Sequence, residues 1–189
     1  MNISNKLKTG TITALIFFSL SFSVSAREAR VTSIRLNNTR DHLLIYLNIE
    51  GALQNKMEKA VLAGIPASFT YYIKLNKIRG LWFDKEISDI KAIHTIRYDN
   101  LKKEFFVNRS WENAAPIVTK SFDYAKLLMS QLNSLKIVEL NKLTKGHQYQ
   151  ILAKAELSKV TLPLYLHYVL FFVSMWDFET DWHSISFIY

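Results

Sequence analysis

Residues 67–77 read ASFTYYIKLNK, and they carry the clearest fold signal in the chain. Phe69, Tyr71, Ile73 and Leu75 fall on one face of an extended backbone, while mostly polar side chains alternate with them on the other. Successive side chains of a strand point to opposite faces, so this period of two predicts a strand with one buried and one solvated face. Such half-buried strands are typical of antiparallel sheets.

Strand-like patterns recur on both sides of this segment, separated by turn residues such as Asn37-Asn38 and Asp99-Asn100. They predict two β-hairpins and three further strands. The hairpins are Val31–Leu36 with Leu43–Ile49, and Ile90–Tyr98 with Glu104–Val107; the further strands are Ile137–Leu140, Tyr149–Leu157 and the alternating C-terminal residues Ile185, Phe187 and Tyr189.

Two short helices are predicted between the strands. Leu53, Met57 and Val61 recur every four residues, and Gly64 follows as a left-handed C-terminal cap. The second helix is predicted over Ser121–Leu135, which carries an apolar stripe at helical spacing. Alternating strands, short turns and the absence of a linker predict one mainly β domain, an antiparallel, immunoglobulin-like β-sandwich with two short helices.

The first 26 residues are predicted to be a cleavable signal peptide, followed by a single β-rich periplasmic domain at residues 27–189. Two lysines and no acidic residue precede an apolar run at Ile12–Val24, and Val24-Ser25-Ala26 supplies small residues for a signal peptidase. The alternative is an inner-membrane anchor formed by residues 9–25, although the apolar run is short for a spanning helix.

The amino-acid composition indicates which compartment and which partners are expected. The chain has no cysteine, which suits the periplasm of a Gram-negative bacterium better than a disulfide-rich secreted domain. Removal of the two lysines of the signal peptide lowers the net charge from +8 to +6. This excess favours an envelope protein or an anionic envelope component, such as lipid head groups, lipopolysaccharide or cell-wall polymers; alternatively, the basic residues only form a solvated surface. Peripheral contact with a membrane is compatible with this charge, whereas nucleic acid is not an expected partner of an exported protein.

Several short motifs follow one another in a distinctive order and spacing: Gly64-Ile65-Pro66, Arg79-Gly80-Leu81-Trp82-Phe83-Asp84, Ile96-Arg97-Tyr98, and Leu162-Pro163-Leu164 leading into Trp176 and Trp182. In this order they resemble the bacterial family known as domain of unknown function 4390. The resemblance covers essentially all of the mature chain. It implies an exported single domain and assigns no reaction.

An acidic segment near the C-terminus is the first candidate site. If residues 176–183 formed one strand, Asp177, Glu179 and Asp181 would share a face, with Trp176 and Trp182 on the other. Carboxylates arranged in this way could bind a divalent metal, or they could form a solvated edge that discourages sheet-to-sheet pairing. The solvated edge is favoured, so neither a metal nor a cofactor is predicted.

The apolar residues that follow the acids share their odd numbering, and this constrains the acidic segment. Ile185, Phe187 and Tyr189 would lie on the same face as the acids if the strand were continuous. A bulge or turn is therefore predicted near Trp182–Ser184, or else the acidic stretch is a loop.

The second candidate site is the loop after the 67–77 strand. Arg79 beside Trp82 could stack and hold an anion. The favoured interpretation is that Trp82 fills the core while Arg79 and Asp84 pair across a turn.

Leu164–Trp176 is an uncharged run, predicted to be buried core, with a membrane-interfacial position as the alternative. No catalytic or cofactor motif occurs in the chain. The expected function is therefore that of a non-enzymatic periplasmic binding or accessory domain. The alternative is an envelope enzyme acting on glycan or lipid through the Asp177–Asp181 segment.

Export gives the first testable prediction. Mass spectrometry of the protein recovered from its native host should find Arg27 at the mature N-terminus. Recovery of intact residues 1–26 in the membrane fraction would contradict cleavage and favour the anchor.

Overall fold

A computed structural model of the chain describes residues 29–51, 53, 55–112, 115–157 and 179–189. The predicted signal peptide and Leu164–Trp176 lie outside these ranges. The strands are β1 (Arg30–Asn38), β2 (His42–Glu50), β3 (Ala67–Lys77), β4 (Lys85–Asp99), β5 (Glu104–Arg109), β6 (Ile117–Thr119), β7 (Gln131–Glu139), β8 (Gln148–Leu157) and β9 (His183–Ile188); the helices are α1 (Asn55–Leu62) and α2 (Phe122–Ser130), with a 3-10 turn at Leu140–Lys142.

The strands form two antiparallel sheets. One has three strands in the order β1-β2-β7, and the other has six in the order β6-β5-β4-β3-β8-β9. Buried side chains from both sheets and both helices join in one continuous apolar cluster. The predicted antiparallel β-sandwich with two short helices is therefore confirmed.

Strand β3 lies at the centre of the larger sheet and has the predicted bounds, Ala67–Lys77. It pairs with β4 on one side and with β8 on the other. Phe69, Tyr71, Ile73 and Leu75 have no exposed surface, as their alternation predicted. Burial of large side chains on this face supplies much of the apolar area that stabilises the sandwich.

Both predicted hairpins are present. Strands β1 and β2 pair in antiparallel fashion, and so do β4 and β5. Strand β4 begins five residues earlier than predicted, at Lys85 instead of Ile90. The early part was missed because only Ile87 marks an apolar position in the first five residues, although their backbone pairs with the end of β3.

The predicted first helix is confirmed as α1, which ends before Gly64 in the left-handed conformation with φ of 89°. The second helix was predicted to be too long, because α2 ends at Ser130 and the chain continues as β7. The predicted strand Ile137–Leu140 is the end of β7 and the first residue of the 3-10 turn.

A bulge in β7 explains why this segment has helical spacing. Leu132 pairs with Leu47 and Leu135 pairs with Ile45, so the two residues between them on β7 oppose a single residue on β2. Ser134 adopts a left-handed φ of 57° in the bulge. Both leucines therefore face the core at a separation of three, which copies the spacing of a helix face.

A fully buried histidine lies where β4, α2 and β3 meet. His94 Nδ1 donates to the Leu128 carbonyl at 3.1 Å, and its ring packs 4.5 Å from that of Trp111 and 4.6 Å from that of Tyr71. Nε2 has no hydrogen-bond partner among the described residues. Burial, with a smaller contribution from the Arg109 cation, lowers the pKa of His94 from 6.5 to about 3, so the ring is neutral in the folded protein.

Acid should therefore destabilise the fold through His94. The unfolded chain takes up a proton on this ring below pH 6.5, whereas the folded protein does not until about pH 3. The free energy of unfolding should fall across that window, by up to about 1.4 kcal/mol per pH unit. Urea denaturation at several pH values between 6.5 and 5 gives the free energy of unfolding as a function of pH. This free energy should fall less steeply with decreasing pH in His94→Gln than in the wild-type protein. Equal slopes in the two proteins would contradict the assignment.

Candidate functional site

Residues 78–84 connect β3 to β4 and form a loop anchored at its base. The Ile78 backbone N–H donates to the Gln148 carbonyl of β8 at 2.9 Å. The Asp84 carboxylate accepts a hydrogen bond from the Arg79 backbone N–H at 3.1 Å. These two bonds fix the base of the loop and leave residues 80–83 projecting beyond the last ladder pair, Lys77 and Lys85.

Three consecutive large apolar side chains occupy this projection and are almost fully exposed. The exposed fractions are 94% for Leu81, 79% for Trp82 and 96% for Phe83. We call these three residues the apolar tip. The favoured prediction that Trp82 fills the core is wrong, because the loop extends past the paired strands and the core.

The predicted pairing of Arg79 with Asp84 is confirmed only in part. Asp84 accepts from the backbone N–H of Arg79, and no salt bridge between the two side chains occurs. A carboxylate that accepts a backbone N–H a few residues away is a common way to close a loop. Asp84 therefore shapes the loop, and the Arg79 guanidinium is exposed beside the apolar tip.

Three cations flank the apolar tip along the hairpin: Lys77, Arg79 and Lys85, which we call the basic rim. Lys77 and Lys85 lie directly opposite each other across the hairpin. Within the described part of the chain, none of the three forms a salt bridge. The Lys77 ammonium donates to the Thr144 hydroxyl at 3.4 Å, which keeps this side chain at the base of the loop.

The acidic C-terminal segment is irregular where the structure describes it. Glu179 forms an isolated bridge with Glu156, but His183 pairs with Ala153, so the two pairings differ in register by one residue. Thr180 is buried between them; its hydroxyl accepts from the Ala155 N–H at 3.0 Å. An interruption of the strand is confirmed, but it lies at residues 180–182, slightly before the predicted Trp182–Ser184, because β9 already begins at His183.

Two of the predicted acidic-segment residues meet around a lysine on the outer face of the larger sheet. Lys154 forms a salt bridge with Glu179, and its ammonium lies 5.3 Å from the centre of the Trp182 ring and 5.2 Å from that of Tyr72. Lys91 lies over the same Tyr72 ring at 5.2 Å. The hydrogen bond to Glu179 raises the pKa of Lys154, so this cation stays charged at neutral pH.

This lysine-centred cluster offers little for acid–base chemistry. The Glu179 carboxylate is neutralised by Lys154, and Asp181 is exposed. The described residues contain no group of three or more histidines and acids that could hold a metal ion. Trp176 and Asp177 lie outside the described residues.

The predicted site residues therefore fall into two separate groups. Arg79, Trp82 and Asp84 belong to one loop. Glu179 and Trp182 lie near Tyr72, which is about 17 Å from the end of β3 where the loop begins, at roughly 3.4 Å per residue.

Sequence reasoning missed Leu81 and Phe83 in the first group and Tyr72 and Lys154 in the second. Two signals were available. Three large apolar residues in a row after Gly80 break the strand alternation, and Tyr72 is an aromatic residue on the polar face of β3.

Comparisons with known proteins identify a family and no characterised relative. A family model described as "Domain of unknown function (DUF4390)" matches residues 26–186, nearly the whole chain. No curated protein and no solved structure matches the chain. Among the described residues, no helix is long and apolar enough to cross a membrane.

Replacement of Trp82 should leave the fold almost unchanged. Trp82→Ala should alter the free energy of unfolding by no more than about 0.5 kcal/mol, because the side chain makes little contact with the core. Phe105→Ala, at a buried aromatic position, should cost about 3–5 kcal/mol and serves as the matched control. Urea denaturation followed by circular dichroism measures both. A loss of several kcal/mol in Trp82→Ala would show that the tip packs against the domain.

Proposed function

This chain belongs to the DUF4390 family, and we propose that it is an exported, non-enzymatic binding domain of the bacterial periplasm whose β3–β4 loop contacts the envelope. The observation that carries the proposal is the exposure of three adjacent large apolar side chains, Leu81, Trp82 and Phe83. Isolated exposed apolar residues are ordinary on protein surfaces. A contiguous group surrounded by polar residues marks an interaction site.

The scaffold beneath the loop suits a binding role. The loop leaves β3, the central strand of the larger sheet, and β8 holds its base through the Ile78–Gln148 hydrogen bond. A rigid sheet that presents a short loop is a common arrangement for binding residues. The partner therefore meets a loop whose two ends are already fixed, which lowers the entropy lost on binding.

Location in the periplasm is part of the proposal and is supported by the sequence. A signal-peptide pattern precedes the domain, and the absence of cysteine is compatible with a fold that relies on packing alone. In that compartment the available partners are envelope proteins and anionic envelope components, both of which suit the net positive charge.

An enzymatic role for the acidic segment has less support. Glu179 is held in a salt bridge with Lys154, and the Thr180 hydroxyl accepts a hydrogen bond from the backbone of β8. A general acid or base requires a titratable group that is free to exchange its proton with a substrate. The described part of the segment contributes to the structure of the sheet edge instead.

Site-specific photo-crosslinking in living cells tests the binding role. Trp82→p-benzoylphenylalanine places a photoreactive group in the apolar tip, and irradiation should give adducts with envelope material. The matched control is Leu101→p-benzoylphenylalanine, because Leu101 is 95% exposed in the β4–β5 turn. Adducts at position 82 that are absent at position 101 are expected. Equal yields at both positions, or no adduct at position 82, would contradict the proposal.

A further inference from the structure

We propose that the apolar tip and the basic rim together form a membrane-docking loop for an anionic lipid bilayer. This inference rests on the proposed binding function and names its partner. Leu81, Trp82 and Phe83 would enter the interfacial region of the bilayer, while Lys77, Arg79 and Lys85 would lie at the level of the head groups. Four features of the structure support this partner.

The size and shape of the tip suit a bilayer better than a protein surface. Two aromatic side chains and one leucine can bury on the order of 500 Å², given about 150–250 Å² for each aromatic residue. A stable protein interface buries about 800 Å² on each partner. The three side chains project from the end of a hairpin with little of their surface covered, and this shape can insert between lipid head groups. A protein interface needs a broad complementary patch instead.

The basic rim supplies charge complementarity. Lys77 and Lys85 are opposite each other, and two like charges in such a pair repel. No salt bridge within the described residues relieves this repulsion. Anionic head groups would relieve it, and each lysine or arginine near such a surface strengthens binding by roughly fivefold.

Nearby acidic side chains offset the rim only in part. Glu86 and Asp89 of β4 both pair with Lys74, each at 3.3 Å. Asp84 accepts the Arg79 backbone N–H, with its carboxylate turned to the base of the loop. Lys74 and the three rim cations together outnumber these three carboxylates by one, so the formal charge next to the tip is positive.

A further apolar residue lies at the same end of the larger sheet. Ile188 of β9 is 75% exposed and pairs with Gln148, the residue whose carbonyl holds the base of the loop. Trp82 suits the interfacial depth, because tryptophan is enriched at membrane–water boundaries, where its ring is partly apolar and its N–H is solvated. Ile188 thus adds apolar surface at the end of the sheet that carries the apolar tip.

Vesicle binding tests the inference with the protein purified as its host exports it. The probes are phosphatidylcholine vesicles with and without phosphatidylglycerol, examined by co-sedimentation and by tryptophan emission. The wild-type protein should bind the phosphatidylglycerol vesicles at least tenfold more tightly than the pure phosphatidylcholine vesicles. Addition of vesicles should shift the emission to shorter wavelength. That shift should largely disappear in Trp82→Phe, which should still bind.

Paired variants separate the apolar and the charged contributions. The triple variant Leu81→Ser, Trp82→Ser, Phe83→Ser should lose binding at least tenfold, whereas Leu101→Ser, at an equally exposed leucine away from the loop, should bind as wild type does. Arg79→Gln and Lys85→Gln should each lose roughly fivefold, with a weaker dependence on salt. The exposed Lys102→Gln is their control. Circular dichroism confirms that each variant is folded.

The outcomes distinguish this inference from the function on which it rests. Vesicle binding that survives the triple variant would overturn the docking loop. Failure of the wild-type protein to bind vesicles, with position-82 photo-adducts on an envelope protein, would overturn the lipid partner and leave the binding function standing. Failure of both experiments would overturn both proposals.

Discussion

The alternation of buried and solvated side chains along β3 is the constraint on which the rest of the structure depends. This strand pairs with β4 and β8 along almost its whole length, so its register sets which face of each neighbour enters the core. Its inner face packs against the smaller sheet through residues with no exposed surface. Its outer face places Tyr72 between two lysines, and its end carries the apolar tip.

Much of the fold could be predicted wherever side-chain period and local conformation agree. Strand β3 and helix α1 satisfy this condition, because strict alternation marks the first, and a four-residue repeat followed by Gly64 marks the second. The start of β7 does not, because a left-handed Ser134 brings Leu132 and Leu135 to one face at helical spacing. A bulge of this kind gives the apolar residues of a strand the spacing of a helix face, so the prediction extended the helix.

The candidate sites were harder to predict, since hydrophobicity indicates burial but does not guarantee it. Trp82 was assigned to the core from its size, whereas its position beyond the last paired residues of β3 and β4 determines its exposure. The interruption near Thr180 was predictable from the odd numbering of the apolar residues that follow it. The role of Lys154 was not predictable, because it depends on the pairing of β3, β8 and the segment before β9, which are distant in sequence.

The basic rim also bears on whether copies of the domain associate with one another. An apolar tip exposed on every copy invites tip-to-tip aggregation at high concentration. When two tips approach, however, both sets of three cations are brought together, and their Coulomb repulsion opposes the contact. The same residues attract a surface of opposite charge. The same three cations thus disfavour contact with a second copy and favour contact with a negatively charged partner.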